Sequence, residues 1–357
     1  MEDAHPGHRL MTRREPFAMG NIAVAPGTRA TTELPISVLS NHTPITLLTH
    51  VVHGTRPGPV MFVSAAVHGD EIIGVEIIRR LLNAKPVRRL RGTLIAIPIV
   101  NAFGFISHSR YLPDRRDLNR SFPGASRGSL AAQLAHLFMH EIVRRCDIGI
   151  DLHSAGQHRV NLPQIRIAPD DARLSALAGA FGAPVVLSSP LRDGSLRRAG
   201  RDAGVDMLVY EAGEALRFDE FAVRAGVSGI LRVMREVQML PRDAVAPARV
   251  TPARSHSSHW LRAPEGGVVR AFKTIGHRVD ANDLIAVVSD PFGANESEVR
   301  AREPGLIVGR TNLPVVNQGD ALFHVALVER APHASANVDR IESQLQADPM
   351  FDEDEIL

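Results

Sequence analysis

The sequence predicts an α/β domain on a largely parallel sheet, followed by a small all-β domain. Three observations carry this. Apolar runs of strand length, VMFVSAAV at 60–67, TLIAIPIV at 93–100 and DIGIDLH at 147–153, read as strands buried on both faces. Segments with helical spacing separate them, the first opening at Glu71 with apolar residues at Ile72, Val75, Ile78 and Leu82. Near residue 241 the texture changes. A stretch rich in Pro, Ala, Arg and Ser gives way to short β-patterned runs, among them GGVVRAF, DLIAVVSD, GLIVGR and ALFHVAL.

The remaining elements follow the same logic. Helices are expected across 130–145, 171–181 and 216–238, and strands at 165–168, 184–187 and 207–212. This divides the chain into a loose tail over 1–20, a main domain over 21–245, a barrel-like β domain over 246–330 and a flexible acidic tail over 331–357.

Composition narrows the function classes. The chain has 357 residues, 44% of them hydrophobic and 22% charged, which suits a soluble globular protein with a large core. The net charge is +2, and Lys85 and Lys273 are the only lysines, so arginine supplies the basic character. The basic residues are scattered and no aromatic-studded basic stretch accompanies them, which argues against nucleic acid as a partner. Cys146 is the only cysteine, so an intramolecular disulfide and a cysteine-based metal cluster are both excluded. No apolar run approaches the roughly 18 residues that span a bilayer, so no membrane partner is expected. Met1–Glu15 lacks a signal-peptide core, so a cytoplasmic location is the default expectation.

Chemistry concentrates at strand ends. His68-Gly-Asp-Glu71 closes the first buried strand. With 16 histidines in the chain, roughly one His-x-x-Glu match is expected by chance, so placement carries the weight. The carboxyl ends of strands in open α/β sheets are where ligands bind. Residues three apart on a first helical turn point to one side. Asp151-Leu-His153-Ser154 follows a second buried strand, so His153 can converge on the same place. Two histidines and one glutamate leave a fourth zinc position open, as a catalytic site requires. Asp151 can orient an imidazole from behind, and Asp70 either does the same or favours the helix N-terminus.

A carboxylate is also needed to move a proton between water and leaving group. Glu211, at the end of MLVYEA, is the expected base, with Glu214 the alternative. Arg110, Asn119 and Arg120 lie in the loop-like SRYLPDRRDLNRSFPG. Arginine there can grip a carboxylate bidentately or stabilise an oxyanion. Other histidine pairs, His136 with His140, His256 with His259 and His50 with His53, are read as incidental.

Taken in order, His68-Gly-Asp-Glu71, Asn101, Arg110, Asp117-Leu-Asn119-Arg120-Ser-Phe, Asp151-Leu-His153 and Glu211-Ala-Gly resemble the succinylglutamate desuccinylase/aspartoacylase family. That family belongs to the zinc-carboxypeptidase superfamily. The resemblance covers roughly residues 40–240. It implies a zinc-carboxypeptidase-like mixed sheet flanked by helices and one Zn2+ per chain on His68, Glu71 and His153. It implies Glu211 as general base, Arg110 polarising the scissile carbonyl, and Asn119 with Arg120 holding a substrate carboxylate. The implied activity is hydrolysis of the amide bond of a small N-acylated amino acid. The general layout also resembles bacterial deacylases acting on N-acetylated diamino acids. The only tyrosines are Tyr111 and Tyr210, so none is available in the second domain for the acidic-side-chain pocket of some family members.

Two rival readings remain. One is a metallocarboxypeptidase acting on short peptides. The other is a non-catalytic metal-binding or sensory protein that uses the β domain for partners. The β domain also resembles lipoyl- and biotinyl-type barrels, but its single lysine, Lys273, lacks a carrier's flanking residues, so a structural or gating role is expected. Nothing in the sequence selects between a monomer and a homo-oligomer.

Overall fold

The computed structural model describes residues 14–328, 340–341 and 343–345. The expectations for residues 1–13 and for most of the acidic C-terminal stretch lie outside the described residues. Within the expected N-terminal tail, Phe17–Met19 is a strand paired with Ile22–Val24, and Met19 is buried. Ile341 and Leu345, in the expected C-terminal tail, pack into the main core.

The centre is four parallel strands, Asp206–Glu214, Ile148–Ala155, Arg56–Ala65 and Arg91–Ile97, in that spatial order. Alternate residues along these strands serve opposite cores. Met61, Val63 and Ala65 face helices Ile73–Asn83, Ala172–Phe181 and Glu220–Glu236. Phe62, Ile95 and Met207 face helices Leu130–Glu141 and Leu196–Asp202. Burial on both faces is why these strands read as unbroken apolar runs. Four of these five helices begin at polar residues that accept a backbone N–H, namely Ser129, Asp171, Ser195 and Asp219.

Antiparallel strands extend the sheet on both sides, making it mixed where the apolar runs alone suggested largely parallel. Pro44–His53 and Thr28–Val38 add to one edge. On the other, Arg159–Ile167 pairs antiparallel with Asp206–Glu214, and Gly305–Thr311 pairs with Arg159–Ile167. The C-terminal β strands therefore continue the main sheet through Gly305–Thr311, Ala321–Leu327 and Ser258–Arg262. A second sheet of four antiparallel strands packs there, built on Gly267–Ala271 and Leu284–Ser289. Joining the sheets covers the edge of Arg159–Ile167, which would otherwise expose unpaired backbone groups. The stretch read as a linker is partly strand: Ala253–Ser255 pairs with Val185–Ser188.

The first helix starts at Ile73, not Glu71. His68 to Ile72 instead form a tight turn, with the Glu71 N–H donating to His68 O at 3.1 Å and the Ile72 N–H to Asp70 O. Gly69 makes this turn possible. A Cβ there would lie 1.9 Å from the Gly104 carbonyl carbon, so only glycine allows the turn to press against the short helix Ala102–Ile106. Among the described residues no helix is long and apolar enough to cross a membrane.

Candidate functional site

The site lies at the carboxyl ends of the four parallel strands. The backbone of Val100 and Asn101, beyond Arg91–Ile97, bonds to Ala65 O and Ala66 O and closes one wall. Asn101 caps the short helix by accepting the Gly104 N–H at 2.8 Å. Its own amide reaches Arg110 O at 3.5 Å, so it shapes the loop that delivers Arg110.

His68, Glu71 and His153 are buried and adjacent, and three of their ligand atoms lie within 4.8 Å of one another. Glu71 sits between the imidazoles. Its Oε1 is 2.7 Å from His68 Nδ1 and its Oε2 is 2.7 Å from His153 Nδ1. The opposite ring nitrogens meet two further carboxylates. His68 Nε2 is 3.1 Å from Asp117 Oδ1, and His153 Nε2 is 2.7 Å from Asp151 Oδ2. Ser64 Oγ donates to Asp151 Oδ1 at 2.7 Å and fixes that carboxylate in turn. Each imidazole is thus held by a carboxylate on one nitrogen and aimed inward on the other, the arrangement that orients metal-ligating histidines.

Arg110 joins this cluster. It donates to Glu71 Oε1 at 3.0 Å and, through Nε and a terminal N–H, to Asp117 Oδ2 at 3.2 and 3.0 Å. The cluster thus holds three carboxylates, Glu71, Asp117 and Asp151, and one guanidinium, which pairs with Glu71 and Asp117, leaving two negative charges to be matched at the imidazoles. The titration behaviour follows. Burial opposes charge on His153, yet Asp151 and Glu71 raise its pKa well above the ordinary value, and His68 is raised in the same way by Glu71 and Asp117. Glu71, despite burial, is held well below the carboxylate range by the two imidazoles. A site that draws two positive charges onto a His, Glu, His set is suited to a divalent cation.

Glu211 lies on the neighbouring strand in register with His153. Asn161 donates to its Oε2 at 2.9 Å and Arg166 approaches its Oε1 at 3.4 Å. Glu214 follows a bulge and is tied elsewhere, accepting the His158 N–H at 3.1 Å and the Asn312 amide at 3.0 Å. Asn119 donates its backbone N–H to Asp117 and accepts the Leu196 N–H at 2.9 Å, which binds the Asp117-Leu-Asn119-Arg120 turn to the helix Leu196–Asp202. Arg120 is exposed beside it. Asp70 is buried, with its pKa raised by burial and by Glu71.

Sequence reasoning assigned no part to Asp117, Asn161, Arg166 or Ser64. Asp117 stood inside a quoted motif and could have been found there. Asn161 and Arg166 belong to a strand whose pairing brings residues some 45–50 positions apart together, which leaves no local signal. His136 and His140 stack at 6.1 Å between ring centroids, and among the described residues no trio besides His68, Glu71 and His153 is placed to share an ion.

A family model described as the succinylglutamate desuccinylase/aspartoacylase catalytic domain matches residues 57–237. The chain belongs to this family. A relative to which it is similar is the N-alpha-acetyl-L-2,4-diaminobutyric acid deacetylase of Halomonas elongata, 27% identical over 298 residues, covering 76% of this chain and 83% of the relative. Among solved structures, a succinylglutamate desuccinylase/aspartoacylase from Rhodobacter sphaeroides is 25% identical, with a TM-score of 0.74 over 84% of this chain and 96% of the other. The product-bound ectoine utilization protein EutE (DoeB) of Ruegeria pomeroyi shares the fold, with a TM-score of 0.75 at 24% identity, covering 84% of this chain and 94% of that one. The succinylglutamate desuccinylase/aspartoacylase fold thus extends over the mixed sheet and the C-terminal β strands alike.

Proposed function

We propose that this family member is a zinc-dependent hydrolase that cleaves the amide bond of a small N-acylated amino acid or related carboxylate. One observation carries the reading: two imidazoles present Nδ1 to a shared carboxylate, each braced from behind by a further carboxylate. His68, Glu71 and His153 would hold one ion, a donor set that leaves a position open for chemistry. When bound, the ion supplies Lewis acidity to the scissile carbonyl and to the attacking water.

The protein's own residues do the rest. Glu211 takes the proton of the attacking water and passes it to the leaving nitrogen. Its register with His153 places it on the same face of the sheet, and Asn161 with Arg166 orients its carboxylate. Glu211 stands in register with His153, whereas Glu214 follows a bulge and faces His158 and Asn312, which supports Glu211 over Glu214. Arg110 spends three N–H groups on Glu71 and Asp117 and keeps two to donate to the carbonyl oxygen as charge develops there. Asn119 has its side-chain oxygen committed to Leu196, so its amide N–H groups remain to meet a substrate carboxylate beside Arg120.

The named activity of the Halomonas relative makes N-acetylated amino acids the first substrates to try, with diaminobutyrate among them. The test is a hydrolysis screen of zinc-loaded protein against N-acetyl and N-succinyl amino acids and a short-peptide panel, with metal content measured in parallel. Stoichiometric zinc and turnover of an N-acyl amino acid are expected. Turnover confined to peptides, or protein that takes up no metal, overturns the reading.

A further inference from the structure

The opposite end of the sheet carries a second concavity. It has a volume of about 560 Å3, within the range of small-molecule sites, and lies among Arg29, Arg56, Arg88, Arg89 and Arg91. Arg56 and Arg91 open the two parallel strands whose far ends lead to His68 and Asn101. A ten-residue strand spans ~30 Å, so this concavity is remote from the metal-ligand cluster.

Several arginines elsewhere meet carboxylates, among them Arg79 with Glu76, Arg80 with Glu220 and Arg198 with Asp202. Among the described residues no carboxylate lines the concavity. Arg89 pairs with Asp243 at its margin, and Arg29 donates to Leu82 O at 3.1 Å. Among the described residues Arg56, Arg88 and Arg91 form no ion pair with a carboxylate. Like charges converging without counterions repel, and a bound anion relieves that cost. Val52, Val87 and Leu90 add apolar side chains to a mainly polar lining.

We propose that this concavity binds the di- or triphosphate of a nucleotide-sized molecule. Guanidinium forks grip phosphate oxygens bidentately and stack on flat rings, and a lone carboxylate would leave most of this positive charge unmatched. The apolar side chains of the lining meet the body of the ligand and the arginines take its phosphates. The site is separate from the proposed hydrolytic centre and does not depend on it.

Calorimetric titration of the full chain with ADP, and separately with inorganic pyrophosphate, tests this. Saturable one-to-one binding tighter than about 1 mM is expected, weakening as salt is raised. The double variant Arg56→Glu/Arg88→Glu should weaken it about tenfold or more. Both side chains are exposed, so the fold should survive, and a thermal melt checks this. Arg91→Gln provides a milder second variant with a smaller loss in the same direction. Tighter binding of ADP than of pyrophosphate assigns the apolar lining to the ligand body, and equal affinity assigns recognition to the phosphates alone. Absence of saturable binding overturns the proposal. So does affinity that is indifferent to these arginines, or affinity lost in Arg110→Gln, which would move the ligand to the metal-ligand cluster.

Discussion

Asn161 donates its side-chain amide to Glu211 at 2.9 Å across two antiparallel strands. Asn161 also lies opposite Gly309 of the Gly305–Thr311 strand, where a Cβ would come 2.8 Å from Asn161 Oδ1. The C-terminal β strands thus back the residue that orients the proposed base. A hydrogen bond to a charged group is worth about 1.5–3 kcal/mol. Asn161→Ala should therefore lower kcat about ten- to a hundredfold. Metal content should stay unchanged. Gly309→Ala should act in the same direction by pushing Asn161 aside. Steady-state kinetics with metal analysis decides it, and an undiminished kcat in Asn161→Ala would remove Asn161 from the mechanism.

Asp151 and Asp117 brace the two imidazoles from outside. Replacing either by alanine frees a ring to rotate, and a loss of about ten- to a hundredfold in zinc affinity is expected. The two variants should differ in a second respect. Asp117 also holds Arg110 through two donors, so Asp117→Ala should lower turnover even at saturating zinc, whereas Asp151→Ala should recover more fully. Chelator competition followed by assays at excess zinc separates these outcomes. Wild-type affinity in both variants would argue against His68 and His153 as ligands.

The parts of the molecule legible in the sequence are those with a local cause. Strands buried on both faces write themselves as apolar runs, so 60–67, 93–100 and 147–153 mark Arg56–Ala65, Arg91–Ile97 and Ile148–Ala155 to within a few residues. His68 and Glu71 were visible because they stand three residues apart in the sequence at the end of an apolar strand. What was illegible is long-range pairing. Thr28–Val38 and Pro44–His53 alternate exposed with buried residues at an edge and gave no continuous run. The antiparallel seat of Arg159–Ile167 beside Glu211, and the joining of the C-terminal strands to it, depend on register between distant segments. The helix start slipped from Glu71 to Ile73 because the turn against Gly104 overrides helical spacing.

Gly69 offers a test of that turn. Its hypothetical Cβ meets the carbonyl carbon of Gly104 at 1.9 Å and Phe105 N at 2.2 Å, both backbone atoms. Gly69→Ala must displace the Ala102–Ile106 helix, and with it the Asn101 contact to Arg110. Overpacking of this kind costs about 1–3 kcal/mol or more. A lower denaturation midpoint and weaker zinc binding are expected together. A midpoint equal to wild type would mean the two segments are not packed as described.

His324 makes stability depend on pH away from the proposed metal ligands. Its Nε2 lies 2.9 Å from Ser258 Oγ, and its ring stacks on Trp260 at 4.8 Å between centroids. Burial, aided by the charges of Arg166 and His259, lowers its pKa to about 4. In the unfolded chain it titrates near the ordinary histidine value of 6.5. Between those values the unfolded state binds more protons than the folded one, so stability falls as pH falls. The contribution is fully present above the unfolded pKa and lost as pH drops through the folded one. It amounts to on the order of 3 kcal/mol across the window. Tm followed between pH 7 and pH 4 should therefore decline in the wild type and decline less steeply in His324→Gln, which has no group at this position to take up a proton on unfolding. Parallel Tm curves for the two proteins would assign the acid sensitivity to other groups.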